Sequence, residues 1–394
     1  MSVTYPTGFR AAGVTAGFKH SGLPDLGLLV GDPGTTAAAL FTTNAVAAAP
    51  IQVGRDRLSR GRIRAVLVNS GQANAATGPR GIEDARATSA AAASRIGADP
   101  DEVLPSSTGV IGEPLHTDRL CEAMPALVDA LSLEGGQAFS RAIMTTDTVP
   151  KQATADAGES RVGGCAKGVG MIAPNLATML AFVTTDAVVA PDDLQRIASE
   201  RLAPRFNGLT VDGCMSTNDT VLLLASGSSG VPGSATRGQL ADAIDAVGES
   251  LVAQLVAVGE GVTRVMIVDV EGATSGDDAR RVAKSVADSP LVKTAIFGGD
   301  PNPGRFLQAV GAAGVPVDPG RVDVSIDGVP VVAGGVVPPA YFEVASTLAD
   351  EARAALKETE ITVLVRLGTG PATSRAYGCD LSYEYVRING EYTT

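Results

Sequence analysis

The chain of 394 residues contains no tryptophan, two histidines and four cysteines, and aromatic side chains make up only 4% of it. With histidine limited to His20 and His116, a His-rich metal centre is out of reach, so no metal is expected. A Ser-His-Asp triad would have to use one of these two, and neither lies in a motif that suggests it. The cysteines, Cys121, Cys165, Cys214 and Cys379, lack the paired spacing of a zinc site. Their scatter fits reduced, mostly buried thiols in a cytosolic protein. No apolar run approaches the roughly 18 residues needed to span a bilayer. The start MSVTYPTGFRAAG has no basic segment followed by an apolar core, so no secretory signal and a cytoplasmic location are expected. Positive charge is also short, 31 Lys and Arg against 43 Asp and Glu for a formal net charge of -12. That balance argues against a nucleic-acid surface. It leaves room for anionic substrates, because a few buried cations can decide a pocket locally.

What is present belongs to an ordinary globular class, with 45% hydrophobic and 19% charged residues and length enough for two or three domains or one large α/β unit. Short strands are expected at 64–68, 178–183, 263–270 and 361–367. Helices are expected at 82–96, from Pro191, at 239–258, at 277–287 and at 346–356. Strands 322–326 and 329–332 flank Asp327-Gly328, a dipeptide that favours a two-residue hairpin turn. Strands, hairpins and long helices in this mixture point to a layered α/β or α+β fold.

Lys167 to Phe182 reads KGVGMIAPNLATMLAF and carries the most chemistry. Gly168 and Gly170 permit close backbone approach, and Pro174 marks a loop before the apolar strand. A threonine hydroxyl needs a base, and an N-terminal threonine supplies one as its own α-amine, whose pKa of about 7.7 to 8.0 leaves a useful unprotonated fraction near neutrality. Thr178 would gain that amine if the Ala177/Thr178 bond were cut. The route would be attack of its Oγ on the Ala177 carbonyl, an N-to-O acyl shift, then ester hydrolysis. Thr178 as a plain β-branched strand residue is the competing account. Gly168, Gly170 and Ala173 formally fit GxGxxA, but Pro174 and a strand follow where a helix should open. Gly298 to Arg305 is glycine-rich, yet no GK[ST] occurs, so a nucleotide site is not expected.

Several further segments are spread along the chain: NSGQANAATG (69–78), SSTGVIG (106–112), AIMTTDTVPK (142–151), STNDTV (216–221), GEG (259–261), SPLVKTA (289–295), GGDPNPGR (298–305), YGCDLSYEYVRING (377–390) and the terminal EYTT. With the segment around Thr178 they resemble, in order and along the whole length, the glutamate N-acetyltransferase and ornithine acetyltransferase family of arginine biosynthesis. The resemblance implies sheets packed between helices in the N-terminal-nucleophile manner with the family's own connectivity. It also implies an α-chain of residues 1–177 and a β-chain of 178–394 after autocleavage at Ala177/Thr178, assembled as a heterotetramer of two each. The implied reaction moves an acetyl group from N-acetylornithine to glutamate through an acyl-enzyme on Thr178, with Thr108 and Gly109 as the oxyanion hole and no cofactor. Implied substrate contacts are Thr145, Lys167, Thr178, Glu260, Asn389 and Thr394. One departure stands out, Pro303 where the family pattern has tryptophan, which puts local loop packing in question. Three alternatives remain: a bifunctional form that also acetylates glutamate from acetyl-CoA, a self-processing aminopeptidase or amidase, and a non-enzymatic amino-acid-binding module.

Overall fold

The computed structural model describes residues 2–61, 63–172, 179–232 and 237–391. Ala177, Thr178, Pro174 and Thr394 therefore lie outside the described residues. The chain divides into two compact units, the first from Met1–Asn207 and Met215–Leu255, the second from Gly208–Cys214 and Val256–Tyr392.

The first unit contains β1 (Phe9–Val14), β2 (Leu26–Gly31), β3 (Thr36–Phe41), β4 (Ala65–Gln72), β5 (Val103–Val110), β6 (Lys151–Ala157), β7 (Ser160–Lys167), β8 (Leu180–Thr185) and β9 (Thr220–Ala225). One sheet has the order β1-β2-β4-β5 and the other β3-β9-β8-β7-β6. Each is antiparallel except for one parallel pair, β4 with β5 and β8 with β9. Side chains alternate between faces along a strand, and the sequence uses both. Leu29, Val66, Val68 and Leu104 pack with Phe182, Leu222 and Leu224 in a core shared by the two sheets. Their neighbours Leu28, Leu67 and Val103 pack instead with Ala92 and Ala93 of helix Gly78–Ile96 and with Leu120 and Met124 of helix Thr117–Asp129. On the far side of the second sheet, Gly164 of β7 leaves room for Val247 and Leu251 of helix Arg237–Ala257; a Cβ at Gly164 would lie 2.8 Å from Val247. The order is helix, sheet, sheet, helix, the layered arrangement that the strand and helix pattern anticipates.

The second unit holds β10 (Val265–Ala273), β11 (Asp323–Ile326), β12 (Val329–Val332), β13 (Glu360–Arg366) and β14 (Ala372–Cys379) in the order β12-β11-β13-β10-β14. Met266, Val268 and Val270 of β10 and Ile361, Val363 and Val365 of β13 occupy alternate positions and share a core with Val282 and Val286 of helix Gly276–Asp288. The hairpin at Asp327-Gly328 forms, with φ of 46° and 82°, both left-handed as a type I′ turn requires. Pro303 opens helix Pro303–Gly311, and the Asn302 side chain accepts a hydrogen bond from the Arg305 amide. Proline suits a first helical turn because its missing N–H would have no partner there. The segment is a capped helix start.

Several expectations need adjustment. The strand expected at 64–68 continues to Gln72, carrying Asn69, Ser70 and Gly71 into the sheet. The strand expected from residue 178 is described from Leu180. Thr108-Gly109 lies within β5. Only Cys165 and Cys379 are buried, while Cys121 and Cys214 are exposed, and all four are free thiols. Among the described residues no helix is long and apolar enough to cross a membrane.

Candidate active site

The site begins where β4 and β5 run side by side. Ser70 pairs with Thr108 and Gly71 with Gly109, and the register shifts at Gly71/Gln72. Gly109 has φ of +129°, and a Cβ there would lie 2.2 Å from the Gly71 carbonyl carbon and 2.7 Å from the Gln72 nitrogen. Backbone against backbone at that distance admits no side chain. Thr108, itself buried, accepts a hydrogen bond on Oγ1 from Lys167 Nζ at 3.0 Å. A hydroxyl that accepts in this way still has its own proton to donate. Lys167 is the last residue of β7 and only 2% exposed, so the second sheet supplies the cation and the first the hydroxyl.

Asp147 organises the other side of the lysine. Its Oδ1 accepts from the Lys151 ammonium and, at 2.8 Å, from the Gly168 N–H. Its Oδ2 accepts from the Thr145 N–H at 3.0 Å. Burial alone would push this carboxyl up, but the ammonium groups of Lys167 and Lys151, with the Gly168 N–H, hold it below the ordinary carboxylate range. Burial pulls the Lys151 ammonium down against the pull of Asp147. Lys19 is brought down to about 8, chiefly by burial and further by the neighbouring charge of Lys167, with Asp25 opposing. Three lysines in one region of an otherwise acidic chain make a locally cationic site, suited to carboxylate-bearing substrates. Thr145 is reached through its backbone and lies in the loop after helix Gly136–Ala142, not in a strand.

A third group meets the start of β8. Lys167 pairs in register with Leu180. The Met179 N–H donates to Asp219 Oδ1 at 3.1 Å. Asn218 donates from Nδ2 to the Ala73 carbonyl at 2.6 Å and the Ser107 carbonyl at 2.8 Å. Ser107 Oγ in turn donates to Asn69 Oδ1 at 2.6 Å.

In the second unit, Asn389 Nδ2 donates to Glu260 Oε2 at 3.0 Å, which brings together two of the residues singled out in the sequence. Asn389 stands on helix Tyr383–Glu391 and Glu260 in the turn after helix Arg237–Ala257. Thr178, Ala177 and Thr394 lie outside the described residues. Asp147, Lys151, Asn218, Asp219 and Lys19 were not picked out from the sequence, although the first four stand inside the segments AIMTTDTVPK and STNDTV. The described residues contain no group of three or more His, Cys, Asp or Glu that could hold a metal ion.

Comparison with known proteins follows the same path. Residues 10–394 match the model of the ArgJ family. The chain is 45% identical to the arginine biosynthesis bifunctional protein ArgJ of Thermus thermophilus, over 100% of both chains. It is 47% identical to that of Mycobacterium leprae, over 100% of this chain and 96% of the relative. Among solved structures, the arginine biosynthesis bifunctional protein argJ from Bacillus halodurans is 38% identical with a TM-score of 0.51, and the similarity covers 55% of this chain and 100% of that one.

Proposed function

Because the chain belongs to the ArgJ family, we propose that it is an acetyltransferase of arginine biosynthesis, moving the acetyl group of N-acetylornithine to glutamate through an acyl-enzyme on Thr178. The observation that carries the assignment is the position of Lys167. It pairs with Leu180, two residues beyond Thr178, and reaches Thr108, joining the proposed nucleophile segment to the proposed oxyanion segment.

Thr178 Oγ attacks the Ala177 carbonyl, the C–N bond breaks as nitrogen takes a proton, and water hydrolyses the resulting ester. This leaves chains 1–177 and 178–394. The whole of the Bacillus halodurans chain matches 55% of this one, a share equal to that of residues 178–394. In turnover the Thr178 α-amine takes the hydroxyl proton while Oγ attacks the acetyl carbonyl. The developing oxyanion lies toward Thr108 and Gly109, where fixed donors act without reorganisation. The amine of ornithine leaves with the proton, and glutamate's amine then attacks the acetyl ester and restores Thr178. The cationic region of Lys167 and Lys19 suits the carboxylates of both substrates. Thr145, Glu260, Asn389 and Thr394 complete the proposed substrate contacts, Glu260 as a partner for an ammonium group. The reaction needs no cofactor. The proposed assembly is a cytoplasmic heterotetramer of two chains of each kind.

The name "bifunctional" carried by the relatives favours a second donor, acetyl-CoA, for the same acceptor. Intact-mass spectrometry before and after incubation with N-acetylornithine tests the main reading: two chains meeting at Ala177/Thr178 with an acetyl on the second are expected. Thr178→Ala should remain one inactive chain. Normal turnover in that variant would remove Thr178 as nucleophile, and release of acetate without acetylglutamate would make the protein a hydrolase. Acetylglutamate formed from acetyl-CoA and glutamate alone would establish the second donor.

A further inference from the structure

Asn218 and Asp219 precede β9 and have no part in the chemistry above, yet each is tied to one side of it. Asn218 is buried, and its amide holds the Ser107 carbonyl, directly before Thr108, and the Ala73 carbonyl beyond the irregularity at Gly71/Gln72. Asp219 is fully buried, and its Oδ1 holds the N–H of Met179, the residue bonded to Thr178. The backbone repeats the link, since the Thr220 N–H donates to the Met179 carbonyl at 3.1 Å. Two adjacent residues thus grip the strand of the proposed oxyanion hole and the strand of the proposed nucleophile.

A buried carboxyl normally has every oxygen satisfied. Asp219 Oδ2 has no hydrogen-bond partner among the described residues. Burial pushes this carboxyl well up from its ordinary value, with the Met179 N–H, the side chains of Thr42 and Ser216 and the charge of Lys167 opposing.

We infer that Asn218 and Asp219 form a clamp that ties β5 at Ser107 to the start of β8 at Met179, with Asp219, through the Met179 N–H, as the positioning residue for the chain that carries the proposed nucleophile. The inference rests on Thr178 being the nucleophile. A clamp of this kind acts on rate more than on binding. Displacing a reacting group by about 1 Å costs about 10²-fold, while the cationic region that holds substrate is built from other residues.

The test uses Asp219→Ala, Asp219→Leu and Asp219→Asn in the full chain, with self-cleavage followed by mass and steady-state kinetics on N-acetylornithine and glutamate. The Ala and Leu variants should cleave more slowly and lose about 10²-fold in kcat with KM within about threefold. Asp219→Asn should keep cleavage and kcat near wild type, because its side-chain carbonyl still accepts from the Met179 N–H. Leucine keeps the buried volume should alanine prevent folding, and thermal melting identifies the folded variants. Full kcat in Asp219→Leu, or a loss in Asp219→Asn as deep as in Asp219→Leu, would overturn the clamp. So would failure of both the Ala and Leu variants to fold, since Asp219 would then serve stability alone. A wild-type second chain that does not begin at Thr178 would instead overturn the nucleophile and leave the contacts of Asp219 as architecture.

Discussion

Asp147→Asn should destabilise the protein in a pH-dependent way. Asp147 accepts three hydrogen bonds, from Lys151, Gly168 and Thr145, and is the carboxylate counter-charge to Lys151 and Lys167, which are 1% and 2% exposed. Asparagine accepts on one oxygen only, so its amide must face a donor. Breaking a buried ion pair from one side costs about 3–5 kcal/mol. An upper bound follows from the escape open to Lys151, which can shed its proton. That costs about 1.36 kcal/mol for each unit below an ordinary pKa of about 10.4, or about 4.6 kcal/mol at pH 7 and about 1.9 kcal/mol at pH 9. A lysine held neutral in the folded state binds fewer protons than in the unfolded chain, so stability rises with pH. The variant should therefore lose about 3–5 kcal/mol at pH 7 and regain up to about 2.7 kcal/mol of it by pH 9. Urea unfolding followed by circular dichroism suits a chain without tryptophan, in the Thr178→Ala background, which is expected to stay one polypeptide. A loss under about 1 kcal/mol at pH 7, or the same deficit at both pH values, would refute the buried charge balance.

Other predictions follow from the same geometry. Gly109→Ala forces a Cβ to within 2.2 Å of the Gly71 carbonyl carbon; overpacking should cost about 1–3 kcal/mol, before any strain from the positive φ, and kcat should fall at least about 10²-fold, checked by melting and turnover, with unchanged kcat as the contrary result. Lys167→Met, close in volume but uncharged, should lower kcat/KM for N-acetylornithine by about 10²- to 10³-fold, the scale of losing one oxyanion-hole contact; a change within twofold would place Lys167 outside the reaction. Gly328→Ala meets no atom within 4 Å, so only its left-handed backbone is penalised. It should cost about 1–2 kcal/mol in urea unfolding with kcat unchanged.

The parts of this protein legible in its sequence are those with local causes. Asp327-Gly328 announces its hairpin because a tight turn needs two left-handed residues. Helix Gly276–Asp288 and strands β10 and β13 follow from apolar spacing alone. The proposed site was legible only through resemblance, since Thr108-Gly109 looks like a turn until β4 is known to lie against it. The amide of Asn218 reaches Ser107 across 111 positions, and no periodicity encodes a contact of that range. Asp147 and Lys151 are four residues apart, but their pairing needs the chain turn between helix Gly136–Ala142 and β6, with Gly168 delivered from another strand. The segments AIMTTDTVPK and STNDTV that hold these residues are conspicuous, and which side chain matters in each is not.

The strand order β3-β9-β8-β7-β6 bears on the life of the protein if it is cut as proposed. A break before β8 would put β8 and β9 on one polypeptide and β3, β7 and β6 on the other, so the second fragment's two strands would be hydrogen-bonded between β3 and β7 of the first. While the bond is intact, β7 finds β8 as a hairpin partner on the same chain, at any concentration. Once it is cut, that meeting becomes a bimolecular encounter between two incomplete sheets, slower and dilution-sensitive, with Phe182 and Leu222 bare until it succeeds. Folding would then have to precede the proposed scission. The mature enzyme would persist by the height of its unfolding barrier, a one-way ratchet that denaturation and dilution should fail to reverse.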